Sequence, residues 1–103
     1  MGFIVVSIIG RDKPGMLAEI ATIISNEGGN IENINGHTLY IERGKKLANI
    51  SMIVSGEDIG ALYQKLHEKL RKFADENNLI IHLYPLGHLM GEEKEEMKQI
   101  EED

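Results

Sequence analysis

The 103-residue chain has no cysteine, which removes disulfides, thiolate metal ligands and a cysteine nucleophile together. No apolar run approaches the roughly 18 to 20 residues that span a bilayer. The start of the chain also lacks a basic stretch followed by an apolar run and a cleavage site. A cytoplasmic protein with no membrane partner is expected. A stripe of basic residues is missing too, so a nucleic-acid backbone is not an expected direct partner. The net charge is −6, and it is unevenly placed. From Gly91 to Asp103 seven acids face only Lys94 and Lys98, which leaves residues 1–90 almost neutral. What remains is an ordinary globular composition, 42% apolar and 27% charged, in a chain too short for separate cofactor and substrate domains. The expected organisation is one domain over 1–90 and an acidic tail over 91–103.

Periodicity divides that domain into six elements. Phe3 to Ile9 is almost wholly apolar and rich in β-branched residues, which suits a central strand covered on both faces. After the loop that follows Gly10, Pro14 stands where a helix can begin. Leu17, Ile20, Ala21 and Ile24 then recur at helical spacing, and Gly28 and Gly29 supply the stop. Asn30 to Ile41 mixes Ile31, Ile34 and Leu39 with Asn33, Asn35 and His37, which predicts an edge strand bulged near Asn35 and Gly36. A turn at Glu42 to Lys45 leads into a strand with Ala48, Ile50, Met52 and Val54 on one face. A second helix runs from Ile59 to Ala74 and ends at Asn77 and Asn78. A last strand alternates from Leu79 to Tyr84 until Pro85 terminates it. The order is βαββαβ: an α+β, ferredoxin-like sandwich with a four-stranded antiparallel sheet and two helices on one face.

This architecture hosts many functions, so function must come from a site. The loop Gly10-Arg11-Asp12-Lys13-Pro14-Gly15-Met16-Leu17 ends at a helix start. The first backbone N–H groups there lack intrahelical partners and carry partial positive charge, which attracts a carboxylate. Gly15 keeps side-chain bulk away from those amides. Asp12 can cap the first turn or bind a ligand ammonium.

Asp12-Lys13-Pro14-Gly15-Met16-Leu17, followed after an apolar helix by Gly28-Gly29-Asn30-Ile31, resembles the paired motifs of ACT domains, small regulatory modules that sense amino acids. Among them the chain is most similar to the stand-alone class related to glycine-cleavage repressors and to the N-terminal module of phosphoserine phosphatases. The resemblance implies a ligand held between two protomers. It places the carboxylate on the amides around Lys13 to Leu17 (Lys13, Pro14, Gly15, Met16 and Leu17), centred on Gly15 and Met16. It places the ammonium near Asp12 and Asn30, with Ile31 beside them; Leu17 is also expected in the core stripe. The expected partners are a small amino acid, a second copy of the chain, and an enzyme or regulator that reads the dimer. No cofactor is implied. On the residues alone, the polar second strand is an edge that pairing with its twin would cover.

Two other readings were open. A ligand-free dimerisation or protein-interaction module would share every feature except a filled cleft. An acylphosphatase-like enzyme would use Arg11 on phosphate and Asn49 on water, but Asp12 would repel the phosphate. No nucleophile elbow surrounds Ser7, Ser25, Ser51 or Ser55. His37, His67, His82 and His88 lack metal-site spacing. The first strand offers only Phe3, and the third no aromatic, for stacking RNA bases.

Overall fold

Alternation governs the first strand, β1 (Gly2–Arg11). In the computed structural model, which describes residues 2–11, 13–41 and 45–86, Ile4, Val6 and Ile8 are fully buried. Val5, Ser7 and Ile9 turn to the other face and are half-buried, and Phe3 is exposed. The expectation of cover on both faces is therefore corrected. β1 is central, but both helices pack on one side of it.

The remaining elements are α1 (Met16–Asn26), β2 (Asn30–Ile41), β3 (Lys45–Gly56), α2 (Ile59–Asn77) and β4 (Ile80–Leu86). The sheet order is β2-β3-β1-β4, every pair antiparallel. This is the βαββαβ, ferredoxin-like arrangement expected. Register fixes which residues share a face: Ile4 faces Val54 and Pro85, Val6 faces Met52 and Leu83, and Ile8 faces Ile50 and Ile81. Met16, Ile20 and Ile24 of α1 and Leu62, Leu66 and Leu70 of α2 close over that layer as one core. Each such buried aliphatic contributes about 1.5 to 3 kcal/mol. Among the described residues no helix is long and apolar enough to cross a membrane.

Three local expectations are overturned. Helix α1 starts at Met16, two residues after Pro14. Ile20 and Ile24 are buried as expected, but Met16 joins them in the stripe in place of Leu17, which stands 40% exposed. The edge bulge lies between Ile31 and Asn33, not at Gly36, which pairs squarely with Ile50. The extra residue is Glu32, whose Oε1 accepts from Ser55 Oγ at 2.7 Å and from Asn30 Nδ2 at 3.0 Å. Pro85 does not end β4, because an edge strand spares alternate N–H groups from the ladder.

The two helices are finished differently. Asp58 Oδ1 accepts from the Ala61 N–H at 3.2 Å and caps α2. At its far end Asn78 takes a left-handed φ of 56°, Leu79 N–H donates to Ala74 O at 2.8 Å, and Asn77 Nδ2 donates to Phe73 O at 2.9 Å. Helix α1 ends on Gly28 at φ 89°, as its sequence led one to expect. The last carbonyls of a helix disfavour a carboxylate, yet Glu27 stands there, held by an ion pair to Lys69 of α2. The Lys69 hydrogen bond, with its charge, holds the Glu27 carboxyl below the usual range. Of the turn expected at Glu42 to Lys45, Lys45 instead opens β3, while residues 42–44, the boundary at residue 90 and the tail lie outside the described residues.

Candidate functional site

The segment after β1 turns once before winding into α1. Lys13 O accepts from the Met16 N–H at 3.2 Å, and Gly15 O accepts from the Glu19 N–H at 3.0 Å, the first helical bond. Between them Gly15 holds φ 80° and ψ −4°, a left-handed conformation costly to any residue with a Cβ. Space is not the reason for glycine, since a Cβ there would meet nothing within 4 Å. This start has no side-chain cap among the described residues. Asp12, the expected cap or ammonium ligand, lies outside them.

Four N–H groups at a helix start lack intrahelical partners. The structure occupies that of Met16 with the Lys13 carbonyl, while those of Leu17 and Ala18 have no backbone acceptor among the described residues. Of the pair Gly15 and Met16 on which an anion is expected, the Met16 N–H is thus already engaged, and the next two amides, Leu17 and Ala18, lack a backbone acceptor among the described residues.

These amides border a cleft of about 760 Å³, a size typical of small-molecule sites. One wall is the start of α1, Lys13 to Ala18 with Ala21. The facing surface is Ile34, Gly36 and Thr38 of β2 with Ala48 and Ile50 of β3, and His37 completes the lining. No acidic side chain lines it among the described residues, and Lys13 adds a positive charge at its border. Ile34 is 44% exposed although it faces the helix side of the sheet, because α1 does not reach over β2 at this point. The cleft thus combines an anion-favouring end with an aliphatic interior.

Of the residues singled out in the sequence, Lys13, Pro14, Gly15, Met16 and Leu17 all line this cleft. Asn30 and Ile31 do not. They begin β2, and six residues of strand at roughly 3.3 Å each put Asn30 about 20 Å from Gly36. Ile31 pairs with Val54 and packs against the core. The Asn30 amide is bonded to Glu32, whose carboxyl is held below its usual range chiefly by the Ser55 hydroxyl and then by Asn30. Within one protomer the two motif blocks stand at opposite ends of the sheet. Arg11 and Asn49, the residues of the enzyme reading, do not line the cleft either. Asn49 faces Ile9 on the helix-free side. Among the described residues no three His, Asp or Glu side chains come together as a metal site. The sequence reading missed Ile34, Gly36 and Thr38. Their signal was alternation, three positions on one face of a strand with a glycine at the middle.

The sequence profile of the ACT domain matches residues 4–71. A UPF0237 protein of Methanopyrus kandleri is 32% identical over 72 residues, covering 70% of this chain and 74% of that protein. Among solved structures, the ACT domain from the GTP pyrophosphokinase of Chlorobium tepidum superposes with a TM-score of 0.55 at 23% identity, covering 80% of this chain and 96% of that one. A protein assigned as a glycine cleavage system transcriptional repressor superposes with a TM-score of 0.66 at 17% identity, over 84% of this chain and 46% of that one. The chain spans about half the length of that protein. At these identities the structural likenesses bear on the fold alone.

Proposed function

The chain belongs to the ACT domain family, and on that footing we propose that it is a regulatory module that takes a small amino acid, or a closely related metabolite, into the cleft between α1 and β2. The observation that carries this reading is the pairing of two amides, Leu17 and Ala18, that have no backbone acceptor among the described residues, with an aliphatic interior of Ile34, Ala48 and Ile50. A carboxylate docks on the helix start, and an aliphatic side chain lies over Ile34. The fit favours ligands such as leucine, valine or methionine over acidic amino acids, whose second carboxylate would be desolvated against apolar walls.

The cleft lies beside the β2 edge, where a second copy completes it. If two β2 strands pair antiparallel about a twofold axis near Ile34, counting past the Glu32 bulge brings the partner's Asn30 beside His37, which lines the cleft. The two motif blocks that stand apart within one protomer then meet across the interface. A ligand held by both copies favours one interface arrangement, and an enzyme or regulator bound to the dimer responds to that bias. The module has no chemistry of its own in this reading.

Thermal shift against the twenty amino acids tests it. A ligand at 100 times its Kd stabilises the fold by about 2.7 kcal/mol, and the largest rise is expected with an aliphatic amino acid. Ile34→Glu, at an exposed position, abolishes the rise without unfolding the chain. Asn30→Ala weakens binding by about 1 to 3 kcal/mol. No rise with any amino acid at millimolar concentration would leave a ligand-free dimerisation module in its place.

A further inference from the structure

Gly36 stands inside β2, where a glycine weakens the strand through backbone entropy and the lack of a side chain to pack. Among the described residues nothing in the protomer asks for it. Gly15 and Gly28 take left-handed φ values, and at Gly10, Gly29 and Gly56 a Cβ would collide with the side chains of Leu79, Ile24 and Leu62. Neither reason holds at Gly36. Its φ is not left-handed, and a Cβ there would meet nothing within 4 Å. It pairs with Ile50 in unbroken register, between Asn35 opposite Ser51 and His37 opposite Asn49.

We infer that Gly36 is kept bare for the occupant of the cleft between α1 and β2, and that it selects an occupant with a long or branched aliphatic side chain over a small one. This rests on the amino-acid reading above and assigns its selectivity to one residue. The direction of the missing Cβ carries the inference. Gly36 shares the helix side of the sheet with Ile34 and Thr38, and all three line the cleft. A second strand pairing along the β2 edge would approach in the plane of the sheet, at about 4.8 Å whatever the side chains, whereas each Cβ stands out of that plane. Edge pairing therefore gains nothing from a glycine at this position. The cleft does gain, because its floor drops by one side chain between Ile34 and Thr38, beside Ile50. A carboxylate on the Leu17 and Ala18 amides leaves the rest of the ligand to lie in that trough. Aliphatic carbons make contacts there, and a charged group would lose its water.

Calorimetric titration of the full chain with leucine and with alanine, wild type against Gly36→Ala and Gly36→Val, tests it, alongside circular dichroism and melting of each ligand-free protein. Both variants should fold and melt at or above the wild-type temperature, since the new side chain enters open space and valine favours strands. Gly36→Val is expected to weaken leucine binding at least about tenfold, as one misfitted methylene group does, and to change alanine binding less than about threefold. Gly36→Ala should fall between. Leucine bound equally by wild type and folded Gly36→Val overturns the inference and leaves the amino-acid reading standing. So does a wild type that binds alanine as tightly as leucine, or a variant that loses both equally. A ligand-free Gly36→Ala that melts below wild type overturns it too, because glycine would then serve the strand itself. A wild type that responds to none of the twenty amino acids removes the reading, and this inference with it.

Discussion

The two helices of this domain begin in opposite ways. Helix α2 carries its own cap, the Asp58 carboxylate on the Ala61 N–H, and asparagines close its far end. Helix α1 starts on the backbone alone, from a left-handed Gly15 with no side-chain acceptor among the described residues, and the carboxylate at its end is held by Lys69 of the other helix. One helix is completed from within, and the other depends on groups outside it. In the proposed reading, a cap that filled the first turn of α1 would compete with a ligand carboxylate for the same N–H groups, and among the described residues no side chain does so.

The comparison breaks most readily at Gly15. Gly15→Val forces a β-branched residue to φ 80° and is expected to cost about 2 to 3 kcal/mol. Gly15→Asn should cost under about 1 kcal/mol, because asparagine tolerates this region. Urea unfolding of the pair decides: equal losses would mean that the backbone conformation is not what requires glycine. At α2 the dependence should invert, with side-chain chemistry mattering and backbone freedom not. Asp58→Ala is expected to lose about 1 kcal/mol while Asp58→Ser stays near wild type, and a loss on Ser as large as on Ala would remove the capping role.

The smallest effect is expected at the ion pair. Lys69→Met should destabilise slightly at neutral pH. The Glu27 carboxyl is lowered in the folded state, so its contribution is fully present above the ordinary carboxylate range and is lost as pH falls through the lowered value. The melting temperatures of wild type and Lys69→Met should therefore converge on acidification toward pH ~3. Parallel curves over the whole range would show that the pair contributes nothing through Glu27.

Element order, strand faces and most helix ends were legible in the sequence because each depends on neighbours a few residues away: alternation at Ala48 to Val54, helical spacing from Ile59 to Ala74, glycine at 28. The misreadings each involve something distant or cumulative. The bulge was misplaced because it is set by Glu32 bonding to Ser55, 23 residues away. In α1 only the first position of the stripe was misread, because the left-handed Gly15 sets where the helix begins and leaves Met16 inward and Leu17 outward, while Ile20 and Ile24 are buried as expected. The candidate site was legible on its α1 side, through the paired motifs. Its β2 side was not, because Ile34 is exposed only where α1 stops short of the strand.

Glu32 is surplus to the ladder it interrupts. Ile31 faces Val54 and Asn33 faces Ile53, so a chain with residue 32 excised would knit as a plain hairpin, every flanking partner unchanged. Such a deletion would straighten the rim of the sheet and strip Ser55 of its acceptor, while leaving the hydrophobic layer as it was.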